Sequence, residues 1–420
     1  MRLMQSRLVQ NVGALTILQA ANYLAPLLTI PYLTRVLGAE AFGLTAFVQV
    51  LMAWFVIVVN YGFPWSATRD IAANRDDPEY VSRLFSANWT VQWMLAALAG
   101  LVLAIAVFVV PQLRQDAAIY FAGYSIVLST VLFPVWLMQG LERLREVAAI
   151  QICGRLALLA LVFVLVRGPE DVALAVFAQG AGGIVAGIIC LIWLRRQAIV
   201  RFVMPTAAEI GQATRDGGRV FVSQIAISFY TTFIPTALGL ASGAIMVGQY
   251  MVADRARGAA QSMLIPISQA LFPRMSFLFG RNDLDGARRL VRYSLMATLI
   301  ISGSASLAIF VLADWIVLIL GGPEFTSAIP VLRWLAAVPL CVGLSNLFGV
   351  QIMLPRGKIG AFNTILISAA VLGVAMIFPM AHWRGAEGAA MTILIVEIWV
   401  TAAMAFYLGR IGLIGKKVGE

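Results

Sequence analysis

The sequence predicts an all-α, polytopic membrane protein with about twelve transmembrane helices arranged as two six-helix lobes. Of its 420 residues, 61% are apolar and only 12% are charged, which is about half the charge of an average soluble domain. The apolar residues form long runs, and each run can supply the roughly 20 residues that a spanning helix needs. The charged residues fall in short breaks between the runs, so no segment is free to form a separate soluble domain.

The apolar runs define the spans in order. The first run follows Arg2 and Arg7, as the apolar core of a signal peptide would, but it is too long and too polar for one, and we interpret it as a retained first span. The twelve spans are expected near residues 11–34, 41–62, 85–110, 118–139, 147–166, 172–194, 219–240, 244–273, 292–313, 327–350, 359–379 and 386–408.

The distribution of basic residues predicts the orientation of these spans. Twenty-two of the thirty lysines and arginines lie near the two chain ends and in alternate loops, whereas the other loops hold five. Because cytoplasmic loops are enriched in basic residues, both termini are expected in the cytoplasm. A net charge of +10 is also compatible with binding to nucleic acid. The basic residues are dispersed among apolar segments, however, so we expect no nucleic acid partner.

A faint repeat divides the chain into two halves. The first span ends at Ile30-Pro31 and the seventh at Ile234-Pro235, and a glycine opens the next span at nearly the same distance in both halves. Two parallel repeats of six spans would explain this spacing, and so would two ordinary helix breaks. The repeat predicts an N-terminal lobe at 1–200, a cytoplasmic linker at 201–218 and a C-terminal lobe at 219–420.

The eighth span carries the clearest polar pattern. Asp254, Arg255 and Arg257 lie inside it, and each charge would cost roughly 2.5–3.5 kcal/mol if it faced lipid at the bilayer centre. These side chains should therefore face water or one another. At 100° per residue Arg255 points away from the other two. The remaining polar stripe consists of Tyr250, Asp254, Arg257, Gln261 and Ser268.

Two further spans carry polar stripes at matching places in the two halves. Prolines on these faces would bend the helices and free backbone carbonyls. With the eighth span, they predict a hydrated substrate cavity between the lobes, and polar packing without a transport role is the alternative. The stripes contain Gln19, Asn22, Pro26 and Thr29 in the first span and Gln224, Ser228, Thr231 and Pro235 in the seventh.

Arginines would make this cavity cationic. Arg35 follows the bend at Pro31, and with Arg255 and Arg257 it would suit a phosphate or an acidic sugar. Anchoring at the membrane interface is the alternative role of Arg35. Glu397 lies at the centre of the last span, where it is either the partner of a basic side chain or a proton or cation site.

Several chemistries have no signature in the sequence. There is no GxxxxGK[ST] phosphate loop, no HExxH or GxSxG motif and no cluster of cysteine and histidine. Cys153, Cys190 and Cys341 lie far apart in apolar segments, as buried structural thiols do. His382 fits an interfacial anchor beside Trp383. We therefore expect no enzymatic activity, no cofactor and no metal.

A set of motifs covers nearly the whole chain. They are Leu28-Thr29-Ile30-Pro31-Tyr32-Leu33-Thr34-Arg35-Val36-Leu37-Gly38 with Phe42-Gly43, Asn60-Tyr61-Gly62-Phe63, Ser66-Ala67-Thr68-Arg69-Asp70-Ile71-Ala72, Phe133-Pro134-Val135-Trp136, Gln139-Gly140-Leu141-Glu142, Ser268-Gln269-Ala270-Leu271-Phe272-Pro273-Arg274, Gly322-Pro323-Glu324-Phe325 and Pro330-Val331-Leu332-Arg333. In these motifs the chain resembles the polysaccharide transporters of the multidrug, oligosaccharidyl-lipid and polysaccharide exporter superfamily, which include O-antigen and exopolysaccharide repeat-unit flippases.

The resemblance implies a two-lobed flippase of the bacterial inner membrane. Such a protein passes an undecaprenyl-pyrophosphate-linked glycan to the periplasmic leaflet by alternating access, and H⁺ or Na⁺ is the implied coupling ion. A polysaccharide polymerase and a chain-length regulator are the implied protein partners. Carried over to this chain, the resemblance favours Arg35, Arg255 and Arg257 as headgroup contacts and Asp254 as an ion-coupling residue. Glu397 is the second candidate for ion coupling.

Three other functions are compatible with parts of the sequence. A drug and cation antiporter of the same superfamily would need an acidic cavity, whereas the predicted one is basic. A membrane glycosyltransferase or polysaccharide polymerase would need a large external loop or a catalytic carboxylate cluster, whereas the external loops here are short. A structural membrane protein would have little reason to bury Asp254 and Arg257 in one stripe.

Overall fold

A computed structural model describes the backbone of residues 2–262, 271, 274–275, 277–279, 281 and 283–410. Side chains are described for these residues except 2–24, 112, 222–224, 226–227, 229–231 and 284. The described residues are almost entirely α-helical and include no β-strand, which confirms the predicted all-α fold class. The chain divides into two compact units, Met1–Ser228 and Phe229–Glu420.

The first unit is a group of helices joined by short turns. The last of these helices begins at Ala207, so residues 207–218 of the predicted linker are helical. In chain order the helices are α1 (Arg2–Asn60), α2 (Phe63–Ala73), α3 (Pro78–Val109), α4 (Pro111–Gln115), α5 (Ala117–Leu132), α6 (Val135–Gly140), α7 (Leu144–Leu165), α8 (Val172–Arg196) and α9 (Ala207–Thr231).

Helix α1 is broken at Gly38. A straight helix of its 59 residues would be about 88 Å long at roughly 1.5 Å per residue, far longer than the roughly 30 Å hydrocarbon core of a bilayer. Gly38 has φ 76° and ψ 175°, which ends the first arm and starts the second. A left-handed φ is costly for any residue with a Cβ, so glycine fits this position. The break falls between the first two predicted spans.

A second glycine allows α1 and α2 to approach α9. Gly62 has φ 88° and lies at the junction between α1 and α2. A Cβ at this position would lie 2.6 Å from the backbone oxygen of Gly217 on α9. The ring of Tyr61 packs beside the ring of Phe221 at a centroid distance of 4.9 Å. The Asn60-Tyr61-Gly62-Phe63 motif therefore sets the contact between these elements.

Aromatic packing fixes α2, α3 and α6 against one another. Trp136 of α6 lies 6.4 Å from Phe63 of α2 and 6.1 Å from Phe85 of α3, measured between ring centroids. The indole Nε1 of Trp136 donates a hydrogen bond to Oε1 of Gln92 at 3.1 Å. These side chains belong to a buried hydrophobic core at the end of the unit that the sequence predicts to be cytoplasmic.

The segment before α9 is held against α3. The backbone N–H groups of Arg201 and Val203 donate to the hydroxyls of Ser82 (3.1 Å) and Ser86 (2.9 Å). Helix α9 then begins with a capping box: the Thr206 N–H donates to Oε2 of Glu209 at 2.7 Å, and the Glu209 N–H donates to Oγ1 of Thr206 at 3.3 Å. Hydrogen bonds therefore hold the segment between α8 and α9 at residues 201 and 203 and at the start of α9.

The second unit is also helical. Its last helix, α16, is interrupted at Gly385, where φ is 54° and ψ is −126°, and Ser242 Oγ donates to the backbone oxygen of Ala381 just before this break. The described helices are α10 (Phe233–Ser242), α11 (Ala244–Ser262), α12 (Leu284–Val311), α13 (Ala313–Leu320), α14 (Ala328–Leu335), α15 (Val338–Asn346), a π-helical turn (Leu347–Met353) and α16 (Ile359–Arg410).

Eight of the described helical segments are long and apolar enough to cross a membrane. Two of them, Ala25–Ala73 and Ile359–Arg410, have 49 and 52 residues and can each cross twice. Large apolar side chains such as Leu101 and Phe108 of α3 are more than half exposed, as is usual for surfaces that lipid covers. A multi-pass membrane protein is thereby confirmed, while the count of twelve spans and their orientation stay predictions.

Candidate functional site

The predicted polar stripe on α11 is a chain of hydrogen bonds along one helix face. Arg257 donates from Nε to Oδ1 of Asp254 at 2.8 Å, and its Nη2 lies 2.7 Å from the same oxygen. The Tyr250 hydroxyl is 3.5 Å from that oxygen. On the other side, Nη1 of Arg257 donates to Oε1 of Gln261. These four residues occur at intervals of three and four, which brings their side chains together on a helix.

The ion pair at the centre of this stripe is mostly withdrawn from the surface. The side chains of Arg257 and Asp254 are 18% and 25% exposed, and Tyr250 is 3% exposed. The second oxygen of Asp254, Oδ2, accepts no hydrogen bond from any described residue. Helix α11 is not among the eight described segments that are long and apolar enough to cross a membrane, so the eighth predicted span stays a prediction. A buried ion pair costs desolvation energy that its mutual attraction barely repays, so the pair is weak evidence for a purely stabilising role.

Glu397 lies next to this pair. Helices α11 and α16 pack together, and the carboxylate of Glu397 on α16, only 9% exposed, interacts electrostatically with the guanidinium of Arg257. The structure thus brings together two residues that the sequence identified separately. Asp254 and Glu397 are thus two carboxylates within electrostatic range of one guanidinium.

The other predicted arginines lie elsewhere. Arg255 is exposed on α11 and takes no part in the hydrogen-bonded chain. Arg35 is exposed on α1 in the first unit, where its Nη1 donates to the backbone oxygen of Pro31 at 2.7 Å. That contact holds the guanidinium against the carbonyl at the proline bend.

Part of the predicted site lies outside the described residues. Gln19, Asn22, Gln224 and Thr231 fall on described helices, but their side chains are outside the description, and Ser268 lies outside it altogether. Thr29 and Ser228 of the two shorter stripes are buried. Among the described residues no group of histidine, cysteine and carboxylate side chains could hold a metal ion.

Sequence reasoning missed a cavity in the first unit. A space of about 260 Å³ lies among α2, α3 and α9, and Asp70, Arg83, Asn88, Glu209 and Asp216 are among the side chains that line it. The helical spacing was a usable signal, because the lining positions of α3 and of α9 recur every three or four residues. It was overlooked because these residues lie at helix ends, where polar side chains are ordinary.

One carboxylate of this cavity, Glu209, is stabilised in its charged form. Glu209 accepts hydrogen bonds from the backbone N–H and the hydroxyl of Thr206, and Arg83 lies nearby. These three influences, in that order, hold the pKa of Glu209 below its ordinary value. The residue is therefore anionic at neutral pH.

Comparison with solved structures gives the class of the fold. The chain superposes on an inward-facing multidrug resistance transporter of the MATE family with a TM-score of 0.75, at 15% identity, covering 97% of this chain and 100% of that one. It superposes on the lipid II flippase MurJ with a TM-score of 0.74, at 10% identity, covering 94% of this chain and 87% of that one. The fold is therefore that of transporters of the multidrug, oligosaccharidyl-lipid and polysaccharide exporter superfamily.

The family follows from the sequence comparisons. A family model described as "Polysaccharide biosynthesis protein" matches residues 8–279. A putative O-antigen transporter of Escherichia coli K12 is 35% identical over 95% of this chain and 96% of its own length, and one from Shigella dysenteriae is 29% identical over 94% and 98%. The chain belongs to this polysaccharide biosynthesis family, which confirms the resemblance seen in the motifs.

A more distant relative widens the family. A probable low-salt glycan biosynthesis flippase of Haloferax volcanii is 23% identical over 77% of this chain and 67% of its own length. The relatives are named as transporters or flippases rather than as catalysts, and the prediction that this chain is not an enzyme is confirmed.

Proposed function

We propose that this chain is a flippase that moves undecaprenyl-pyrophosphate-linked oligosaccharide repeat units from the cytoplasmic to the periplasmic leaflet of the bacterial inner membrane. The repeat units would belong to an O-antigen or an exopolysaccharide. The observation that carries the proposal is the similarity to a relative named as an O-antigen transporter, which extends over 95% of the chain at 35% identity. Alternating access would carry the glycan through polar surroundings while the lipid tail stays in the bilayer.

The charge cluster on α11 and α16 supports a transport cycle driven by an ion gradient. Arg257 is bound to Asp254 and lies within electrostatic range of Glu397. Protonation of Asp254, or capture of a cation by it, would weaken its hold on Arg257. Asp254, with its second oxygen unengaged by described residues, and Glu397 are therefore the proposed coupling residues for H⁺ or Na⁺.

The glycan and its pyrophosphate would meet other side chains. Guanidinium groups pair well with phosphate oxygens, so Arg35, Arg255 and Arg257 remain the proposed contacts of the pyrophosphate, with Arg257 available once the coupling ion releases it from Asp254. A polysaccharide polymerase and a chain-length regulator would receive the product. The residues proposed to line the glycan path are Gln19, Asn22, Gln224, Tyr250 and Gln261.

The proposal is tested by export in a strain that lacks this gene. We expect the deletion strain to accumulate a lipid-linked repeat unit inside and to lose surface polysaccharide, and the wild-type gene to restore export. Arg257→Gln should reduce export at least tenfold at equal amounts of membrane protein. Arg288→Gln, which breaks only an exposed surface pair with Asp285, is the matched control and should export normally. Full export by Arg257→Gln would refute the assigned role of the cluster.

A drug and cation antiporter is the second candidate function. The presence of two carboxylates, Asp254 and Glu397, within electrostatic range of Arg257 is the observation that favours it, because organic cations need an acidic site. If it were correct, the deletion strain would keep its surface polysaccharide and become more sensitive to lipophilic cations. Loss of polysaccharide with unchanged drug sensitivity excludes it.

A further inference from the structure

We propose that the cavity among α2, α3 and α9 is a saccharide-binding site, separate from the charge cluster of the second unit. Three helix faces form it: Ser66 and Asp70 of α2, Arg83 and Asn88 of α3, and Asp216 of α9 all line the space. The proposed function supplies the source of the sugar, a lipid-linked glycan, but binding here can be measured without transport. The site lies at the end of the unit that the sequence predicts to be cytoplasmic.

Asn88 provides a hydrogen-bond acceptor at the edge of the cavity. The residue is 5% exposed, and its amide Nδ2 donates to the backbone oxygen of Leu84 at 2.8 Å. Its Oδ1 accepts no hydrogen bond from any described residue, yet the side chain borders the cavity. Because this oxygen is not among the fully buried side-chain atoms that lack a partner, it is accessible to solvent, and a sugar hydroxyl in the cavity can donate a hydrogen bond to it.

The carboxylates of the cavity are oriented by partners outside it. Oδ1 of Asp70 accepts from Nε of Arg69 at 2.8 Å, and Oδ1 of Asp216 lies 3.6 Å from Nη1 of Arg219. Glu209 is held by Thr206 through one oxygen. In each case the other oxygen accepts nothing from the described residues. Three charged acceptors with one spare oxygen each suit the adjacent hydroxyls of a sugar ring.

The remaining lining matches the other features of a sugar. Arg83 and Gln212 supply N–H donors for ring and hydroxyl oxygens. Tyr80, 39% exposed, offers an aromatic ring, and the alanines at positions 87 and 213 leave an apolar floor. A pyranose has polar edges and an apolar face, so it needs this combination. The volume of about 260 Å³ is at the small end of ligand pockets, roughly 300–1,000 Å³, and fits one or two rings.

Other ligand classes fit less well. With their ion-pair partners counted, four carboxylates (Asp70, Glu79, Glu209 and Asp216) stand against three guanidiniums (Arg69, Arg83 and Arg219), so the cavity has no excess positive charge to bind the pyrophosphate of a lipid carrier or of a sugar nucleotide. The described carboxylates do not converge into a group that could hold a metal ion. A compact organic cation would gain from the negative charge, but it would offer no acceptor to the N–H groups of Gln212 or to those of Arg83 that its pair with Glu79 leaves over. A saccharide offers both donors and acceptors.

Direct binding to the purified full chain tests the proposal. Saturation-transfer NMR in detergent would be measured with a panel of free hexoses, hexuronic acids and N-acetylhexosamines, with inorganic pyrophosphate and with tetraethylammonium. We expect at least one sugar to receive saturation and its apparent Kd to weaken at least tenfold in Asn88→Leu and in Asp70→Asn. Asp285→Asn, which changes a 91% exposed carboxylate in the second unit, should bind like the wild type.

The outcomes separate this inference from the proposed flippase function. Loss of sugar binding in the two cavity variants, with a monodisperse profile in gel filtration, supports the site whether or not the strain exports polysaccharide. Because Asp70 is partly exposed, Asp70→Asn should fold even if Asn88→Leu does not. If no sugar binds, if tetraethylammonium or pyrophosphate alone binds, or if the cavity variants bind as the wild type does, the site is refuted. Export in the deletion strain would still decide the flippase function.

Discussion

Asp254 and Arg257 lie three residues apart on α11, a spacing that lets the two side chains meet on the same face. The guanidinium approaches a single carboxylate oxygen through both Nε and Nη2, while Gln261 holds its other nitrogen. The second oxygen of Asp254 accepts no hydrogen bond from a described residue, and Glu397 lies within electrostatic range of the arginine.

The pair should behave as a coupled unit. In Asp254→Asn or Arg257→Gln, the remaining charge loses its partner, and each single change should lower the thermal stability of the purified protein. In the double variant no uncompensated charge remains from the pair, so its loss should be smaller than the sum of the two. The expected coupling energy is about 0.5–3 kcal/mol, measured as a double-mutant cycle of unfolding transitions. Strictly additive losses would show that the pair is not a unit.

Sequence periodicity predicted the polar stripe on α11 but not that Glu397 of α16 interacts electrostatically with it. Tyr250, Asp254, Arg257 and Gln261 follow from 100° per residue alone, because all four lie on one helix. The approach of Glu397 to Arg257 depends on how α11 packs against α16, which no local pattern encodes. Helical geometry also predicts that Arg255 lies off the stripe, because it points about 100° away from Asp254.

Two glycines of the first unit, Gly38 and Gly62, have a positive φ that residues with a Cβ rarely adopt. Gly62→Ala should destabilise the protein, because the residue has φ 88° and its new Cβ would meet the backbone oxygen of Gly217 at 2.6 Å. A strained φ alone costs of order 1–3 kcal/mol, so we expect a clearly lower unfolding temperature.

Gly211→Ala is the matched control for this change. Gly211 lies within α9, and a Cβ there would have nothing within 4 Å. Alanine is favoured over glycine in a helix by about 0.5–1 kcal/mol, so this variant should be as stable as the wild type or more so. Equal stability of both variants would contradict the close approach of α2 and α9.

The capping box of α9 predicts a local, pH-dependent effect. Thr206→Ala removes the hydroxyl that accepts the Glu209 N–H, which should cost about 1 kcal/mol and speed hydrogen exchange of the first turn of α9. Because the pKa of Glu209 is lowered in the folded chain, its contribution is complete above the ordinary glutamate pKa of about 4.3 and is lost as the pH falls through the lowered value.

Exchange mass spectrometry of peptides that cover residues 200–212 would measure this effect. The Glu209→Gln variant should exchange faster than the wild type at neutral pH, and the difference should shrink at pH values below the lowered pKa. An unchanged exchange rate in Thr206→Ala at neutral pH would mean that the start of α9 is held by other contacts.

At the scale of the whole molecule, composition and charge breaks were enough to predict an all-helical, multi-pass protein. The breaks at Gly38 and Gly385 separate predicted spans that the long helices α1 and α16 join without a loop. Apolar runs locate such boundaries because a charged or glycine-containing segment interrupts the run even where the backbone stays helical on both sides. The cavity of the first unit could not be derived this way, since it needs three helices that are distant in sequence.

The boundary between the two compact units also depends on contacts between residues that are distant in sequence. Residues 207–228 pack with the first unit, and Gly62 and Gly217 approach closely across more than 150 residues of sequence. A boundary placed by charge alone falls at the basic connection and cannot register that contact. Each of the two compact units has its own buried core.

The most direct measurement of the central claim is translocation in proteoliposomes. The purified chain would be reconstituted with an undecaprenyl-pyrophosphate-linked repeat unit, and the glycan that appears on the opposite leaflet would be scored by an impermeant glycosidase, with and without an imposed H⁺ or Na⁺ gradient. We predict protein-dependent transfer that a gradient accelerates and that Asp254→Asn uncouples from it. Transfer no faster than in protein-free liposomes, under either gradient, would contradict the account.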